Sequence, residues 1–523
     1  MLFFTLIALL LCLCCVCSLH QTFNVSLISC LYNTIYWNNL ISVDTVTLFI
    51  LLMLAICFIY VLSYTHHYFG DYSVSCALNF IICLFVGVMA TLVCTGDFLT
   101  TLIFWEYLGV VSYFLIIFYM SYLSLRSSII TLVSSRFGDV CLFILIGLSC
   151  LFSNYTLCYV ILFFFIIITK SAGFPFISWL LEAMRAPTPV SSLVHSSTLV
   201  AAGVWFSMRY DIYLYISSPI LFVVCLLLTI FITGVSCFFF FDLKKIVALS
   251  TCNNISWCVL YLLMGDVVLS LFQLVSHGVS KCLLFMLVGD IMSGASGSQA
   301  ANCVYSPLLY GRGGVFSLIC SILGLSGVPF LGCFYTKHLL LTEFNGMFNV
   351  LLNSFVLICI FLSYFYSFRL CSLILNLNVS NQSGVLFFCS SGCLVFLWLL
   401  LNYFTGSLLN EVSLVNVNTS LFLIIFQLSS LFIAYFIYSS VLLNFWSSSL
   451  FGCDSLVESS YNAYINLCNI LGGFFYRWDS YCLSLFSGIG VNSVLNFNLG
   501  VLNCTFLSIA IFMAYIFLLN FCV

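Results

Sequence analysis

The chain has 523 residues, of which 64% are hydrophobic and 5% charged, with a formal net charge of −3. So few charges cannot cover the surface of a water-soluble protein of this length. With no basic run and no acidic tail, the composition also excludes a nucleic-acid partner.

Apolar runs of about 20 residues, each long enough to cross a bilayer, recur along nearly the whole chain and predict about fifteen spans. In chain order they fall near 2–19, 46–64, 74–95, 97–118, 127–152, 156–174, 191–209, 216–239, 246–264, 268–292, 311–341, 348–373, 384–403, 419–446 and 500–521. The first holds Cys12, Cys14, Cys15 and Cys17. Inside an uninterrupted apolar helix, with no second cluster at ligand spacing, these read as small apolar side chains and not as a metal site or disulfide scaffold. No positive n-region and no Arg-rich presequence precede the run, so it reads as a retained helix of a locally inserted chain. Cysteine exceeds alanine, and Phe, Val and Gly abound while Pro, His and Lys are scarce, the bias of a strand-skewed organelle genome. Gly311, Gly313 and Gly314, like Gly488 and Gly490, spell no dinucleotide-binding fingerprint.

Two spans are interrupted. Lys170-Ser-Ala-Gly-Phe-Pro175 breaks the sixth and Gly324-Leu-Ser-Gly-Val-Pro329 the eleventh, because proline removes a backbone donor and clashes with the preceding turn. Such breaks face protein or water, not lipid. Matching breaks in two halves of a chain are the sequence sign of inverted repeats in transporters. The expected architecture is therefore an all-α polytopic membrane protein with two inverted-topology repeats and two broken helices. The divisions are 1–73 (N-terminal helices), 74–209 (first repeat), 210–373 (second repeat), 374–451 (C-terminal helices), 452–499 and 500–523 (final helix). The stretch 452–499 carries Asp454, Glu458, Arg477 and Asp479 among aromatic residues. It reads as a lateral amphipathic helix.

Charge inside an apolar span costs about 2.5–3.5 kcal/mol on insertion scales, so each such residue points to function. The five lysines are Lys170, Lys244, Lys245, Lys281 and Lys337. Burial disfavours ammonium and a nearby carboxylate restores it, which lets a lysine take and release a proton. Glu106, mid-span in Phe104-Trp-Glu-Tyr-Leu-Gly109, is the candidate partner of Lys170, with Gly109 allowing close helix approach. His195 lies among hydroxyls in Pro187-Thr-Pro-Val-Ser-Ser-Leu-Val-His-Ser-Ser-Thr198 and suits a relay. His277 and Lys281, four apart, share a helix face. Arg136 with Asp139, and Asp242 with Lys244, are candidates for structural ion pairs; Asp242 also suits the start of a helix.

These residues carry a resemblance. The run Lys170–Gly203, with Trp105-Glu106 and Gly109, Arg136-Phe-Gly-Asp139, Asp242-Leu-Lys-Lys-Ile-Val-Ala-Leu-Ser-Thr251, His277 with Lys281 and Pro329-Phe-Leu-Gly-Cys-Phe-Tyr-Thr-Lys337, resembles the chain 5 family of NADH–ubiquinone oxidoreductase. Members are antiporter-like membrane subunits of respiratory complex I. The resemblance runs over about 100–340. It implies a proton path through Glu106, Lys170, His195, His277, Lys281 and Lys337, and a C-terminal lateral helix. It implies no cofactor on this chain, with FMN, iron–sulfur clusters, NADH and ubiquinone held elsewhere in the complex. It also implies partners among the other membrane subunits, including neighbouring antiporter-like chains, along with membrane lipids. The implied location is the mitochondrial inner membrane, with mitochondrial encoding. Gln273, His338 and Leu181 depart from the family pattern, and the N-terminal region shows one clear span where two are usual. A stand-alone cation/proton antiporter subunit and an inert membrane scaffold are the rival readings.

Overall fold

The computed structural model of the chain describes residues 23–26, 40–70, 72–151, 157–210, 219–295, 297–307, 311–327, 333–345, 350–377, 379–380, 417–438, 453–487 and 499–521. The expected spans at 2–19 and 384–403, the cysteine cluster at 12–17 and Pro329 lie outside them. Two compact units divide the chain, Met1–Asp454 and Ser455–Val523.

In the first unit, β1 (Phe23–Ser26) pairs antiparallel with β2 (Leu40–Val43). Four helices follow: α1 (Thr45–Phe69), α2 (Tyr72–Val93), α3 (Phe98–Ile116) and α4 (Tyr122–Leu151). Asp44 opens α1, its backbone N–H donating to Thr47 Oγ1 at 2.8 Å, and Gly70 closes it at φ 63°, a left-handed position that glycine adopts freely. The expected sixth span is α5 (Leu157–Ser171), a turn at 172–177, and then α6 (Ser178–Glu182). Next come α7 (Thr188–Leu193), a π-helical turn at Val194–Thr198, and α8 (Leu199–Tyr210). The remaining helices of this unit are α9 (Ile220–Phe239), α10 (Leu243–Leu263), α11 (Val267–Gly294), α12 (Gly311–Ser326), α13 (Cys333–Asn345), α14 (Val350–Leu375) and α15 (Val417–Ile437). A two-stranded parallel patch, β3 (Ser306–Pro307) with β4 (Val379–Ser380), joins them. Neither strand pair is anticipated by hydropathy, because each is too short to show a period-2 pattern.

Among the described residues, ten helices are long and apolar enough to cross a membrane. They sort by position. The apolar window of 188–210 is wholly buried, that of α10 is 94% buried and that of α11 83%, against 33% for α2 and α4. The central helices carry the buried Asn253, Asn254, His195, His277, Lys244 and Lys281, whereas α4 is rich in Ser. Lipid-facing helices must be apolar, whereas polar side chains concentrate where protein surrounds them. Hydroxyls inside the bundle are satisfied locally: Ser124, Ser127, Ser128, Thr131, Ser134 and Ser135 along α4 each donate to the carbonyl three residues back.

The second unit contains α16 (Cys453–Phe486) and α17 (Leu499–Phe521). Within the expected lateral segment 452–499, Cys453–Phe486 is one continuous helix of 34 residues, and residues 488–498 lie outside the described ones.

Candidate functional site

The first interruption builds the first basic site. Helix α5 ends at Ser171, Ala172 takes φ 56°, and the Phe174–Pro175 bond is cis. The turn is held from both sides, by Trp179 Nε1 donating to the Thr169 carbonyl at 3.1 Å and Cys252 Sγ donating to the Ala172 carbonyl at 3.0 Å. Lys170 therefore lies in the last turn of a half-helix, where the C-terminal carbonyls favour a cation. Its side chain is 0% exposed, with Nζ 3.8 Å from Asp139 Oδ1 and 5.0 Å from the centre of the Trp105 ring.

The sequence-based pairing of Glu106 directly with Lys170 is corrected here. Arg136 Nη1 stands between them, 3.1 Å from Glu106 Oε1 and 3.6 Å from Asp139 Oδ2. The four groups form a relay of alternating charge, Glu106–Arg136–Asp139–Lys170, running from the flank of the bundle to its interior. Glu106 and Arg136 side chains are 34% and 42% exposed and Asp139 only 4%. The expected local Arg136–Asp139 pair is present but is one link of this relay. The glycine that permits the approach is Gly138, not Gly109. A Cβ at Gly138 would run into Thr169 Oγ1, whereas one at Gly109 would make an ordinary 3.5 Å contact with Ser135 Oγ. Arg-Phe-Gly-Asp contained that signal, since a glycine beside an intramembrane charge marks close helix packing.

Beside Lys170 a small cavity is lined by Ser112, Thr131, Ser135, Thr169, Trp179 and Val194, with room for about one water. Its far wall belongs to the π-turn that carries His195. The turn arises where Thr198 Oγ1 donates to the Leu193 carbonyl five residues back, at 3.0 Å. Single π-turns are common at functional sites. His195 is 0% exposed, and neither of its ring nitrogens meets a hydrogen-bond partner among the described residues.

The two lysines opening α10 part company. Asp242, immediately before α10, pairs with Lys245 (Nζ to Oδ2 3.0 Å) and not with Lys244. Lys244 is buried and donates instead to the Ala186 carbonyl at 3.2 Å. The correction follows from helix geometry, because residue 245 rather than 244 comes round to the N-cap side chain.

On α11, His277 and Lys281 are both buried, and neither His277 nitrogen meets a hydrogen-bond partner among the described residues. Lys281 Nζ donates to Ser250 Oγ of α10 and to the Val247 carbonyl at 3.4 Å. A second cavity, for about one or two waters, joins Lys281 to Ser250, Asn254, Ser326, Tyr366 and Ser367. Gln273 is tied to the next basic site, accepting at Oε1 from Thr336 Oγ1 at 2.9 Å.

Lys337 on α13 occupies the second interruption. Its Nζ donates to the carbonyl of Ser326, the last residue of α12, at 2.7 Å, and to Ser363 Oγ of α14 at 2.8 Å. It also lies 4.0 Å from the centre of the Tyr364 ring. Both interrupted segments therefore bring a lysine to the carbonyl end of a half-helix and against an aromatic face, an arrangement that holds ammonium without a full counter-charge. His338 is buried beside Phe334. Arg369, on α14, was absent from the expected site. It is 1% exposed and closes α9 by donating from Nη1 to the carbonyls of Cys237 (2.6 Å) and Phe240 (3.0 Å).

Residues 95–366 match the family described as NADH:quinone oxidoreductase/Mrp antiporter, TM. The chain belongs to that family. The matched span covers every site described above except Arg369. Similar proteins include an NADH-ubiquinone oxidoreductase chain 5 of Locusta migratoria, 35% identical over 55% of this chain and 52% of that one. Another is the chain 5 of Anopheles arabiensis, 33% identical over 54% of this chain and 77% of that one. The resemblance to chain 5 read from the motifs is thus borne out, and the chain spans about half the length of the Locusta relative. A solved structure, the Mrp complex from Dietzia sp. DQ12-45-1b, superposes with a TM-score of 0.68 at 19% identity, over 90% of this chain and 57% of that one. At that identity the likeness fixes the fold, an antiporter-like helical membrane bundle.

Proposed function

We propose that this chain is a proton-translocating membrane subunit of a respiratory NADH–ubiquinone oxidoreductase, coupling electron transfer carried out by other subunits to proton movement across the mitochondrial inner membrane. The observation that carries the reading is the set of buried lysines, Lys170, Lys281 and Lys337. Each is held by carbonyls, hydroxyls or one shared carboxylate, and not by a dedicated counter-ion. NADH, FMN, iron–sulfur clusters and ubiquinone belong to partner subunits in this reading, and this chain contributes no residue to their chemistry.

The relay suggests how coupling reaches Lys170. Asp139 is shared between Arg136 and Lys170. When Glu106 holds Arg136, Asp139 is available to the Lys170 ammonium and stabilises its proton. When Glu106 is neutralised or drawn outward, Arg136 turns to Asp139, and the Lys170 ammonium loses its partner in a site where unpaired charge is costly. The proton then leaves by way of the small cavity beside Lys170 toward His195, whose two ring nitrogens can pass it on. Moving one charge against the membrane potential requires about 2.3 kcal/mol per 100 mV.

The test is twofold. The chain should co-purify with a large membrane complex that oxidises NADH and reduces ubiquinone. In coupled vesicles holding that complex, Lys170→Met should abolish this subunit's share of NADH-driven proton uptake. Unaltered pumping by Lys170→Met would sink the proton-path reading. Sodium-dependent transport by the chain without NADH-oxidising subunits would favour a stand-alone antiporter.

A further inference from the structure

The relay leaves one buried titratable pair unused. His67, in the last turn of α1, places Nε2 3.2 Å from Oδ1 of Asp290, near the end of α11. The Asp290 side chain is 2% exposed and that of His67 is 24% exposed. A carboxyl group inside the bundle is thereby joined to an imidazole that reaches its surface. Around the pair, His66 Nδ1 bonds Ser75 Oγ of α2 at 3.0 Å, and Tyr64 and Tyr68 share the same end of α1.

A polar seam leads inward from this pair. Gly289, next to Asp290, packs so closely that a Cβ there would run into the Tyr64 hydroxyl and lie 3.3 Å from Thr188 Oγ1. Helices α1, α7 and α11 meet at that point. Thr188 and Ser192 then follow on α7 at four-residue spacing, and Ser196 follows in the π-turn. Ser192 Oγ donates to the Pro189 carbonyl at 2.7 Å, and Ser196 Oγ to the Ser192 carbonyl. All three residues are buried, and Thr188 Oγ1 has no hydrogen-bond partner among the described residues. His195 lies in the same π-turn as Ser196, its ring nitrogens without a hydrogen-bond partner among the described residues.

We propose that the His67–Asp290 pair is a proton-exchange site between the aqueous phase at this end of the bundle and the central histidine, conducting along Thr188, Ser192 and Ser196. This rests on the proton-translocating reading above. The step conserves charge. The proton leaves His67 Nε2 and arrives on Asp290 Oδ1, turning imidazolium and carboxylate into neutral imidazole and carboxylic acid. Asp290 passes that proton to the hydroxyl seam, and His67 takes a replacement from solvent. A purely structural ion pair would need neither a ring that reaches the surface nor the seam behind it.

The test uses the whole complex in coupled vesicles, with Lys170→Met as the reference. His67→Ala should lower protons pumped per NADH at least twofold, and millimolar imidazole in the medium should restore them, because the ring reaches solvent. The double change His67→Gln with Asp290→Asn keeps a hydrogen bond across the pair but carries no exchangeable acid–base function, and it should remain impaired. Normal pumping by either variant, or a loss in His67→Ala that imidazole does not restore, overturns the exchange site. If Lys170→Met fails to lower pumping, the functional reading itself falls. If only the His67 and Asp290 variants are silent, the exchange site alone falls. The His67→Ala arm changes a partly exposed side chain and stands even where substitutions at buried Asp290 prevent assembly.

Discussion

At the scale of single residues, the relay ranks its members by burial. Asp139 is nearly sealed and serves two cations, so replacing it by Asn leaves Lys170 as an uncompensated buried charge, a loss of about 3–5 kcal/mol when one partner of a buried pair is removed. Glu106 is one-third exposed and forms its ion pair with Arg136, so solvent screens much of its effect. Asp139→Asn is therefore expected to lower NADH-driven pumping more than Glu106→Gln, which should retain a measurable fraction. The initial rate of proton uptake in coupled vesicles measures both. Equal loss in the two variants would mean that Glu106 acts on Lys170 without passing through Asp139.

Single elements decide whether those residues can meet. Helix α4 reaches α5 only because Gly138 carries no side chain where Thr169 comes close. Gly138→Val should force the helices apart and destabilise the subunit by about 1–3 kcal/mol, the usual result of overpacking. Gly109→Ala should be tolerated, since its added methyl group meets an ordinary contact. Thermal unfolding of the detergent-solubilised complex, with pumping measured in parallel, compares the two. At the other end of the bundle, Arg369 closes α9 through two carbonyls. Hydrogen bonds to a charged group contribute about 1.5–3 kcal/mol, so Arg369→Met should lower the same melting temperature. A change smaller than that of an exposed control substitution would show that water satisfies those carbonyls equally well.

At the scale of the molecule, the first unit buries its polar and charged side chains within a largely apolar core and leaves apolar side chains exposed on its outer helices. Every candidate path residue lies in the first unit, on α3, the α5 half-helix, the π-turn, α11 or α13. The second unit exposes Tyr464, Ile470, Phe474 and Trp478 along α16. Contiguous apolar surface of this kind marks contact with lipid or protein. A chain ending at residue 452 is thus expected to keep its lysine sites but to assemble poorly, visible as loss of the large complex on native gels. Full assembly of the truncated chain would assign α16 to lipid contact alone.

Much of this was legible in the sequence because insertion into lipid punishes every misplaced charge. The long spans, the break at Pro175 and the conspicuous lysines all follow from hydropathy and proline chemistry, and they need no tertiary information. Partner choice was not legible. Glu106 and Lys170 are both mid-span, and nothing in their spacing reveals that Arg136 stands between them, or that Lys245 and not Lys244 faces Asp242. The pairing of His67 with Asp290 was not legible either, because each stands at the end of a long apolar run, where polar residues are ordinary. The sequence by itself thus determined a many-helix membrane protein with interrupted spans and buried bases, since those properties depend on local composition. Only the tertiary structure decided which charges touch, because that depends on helix rotation and on close approaches such as those at Gly138 and Gly289, set by packing between segments far apart in the chain.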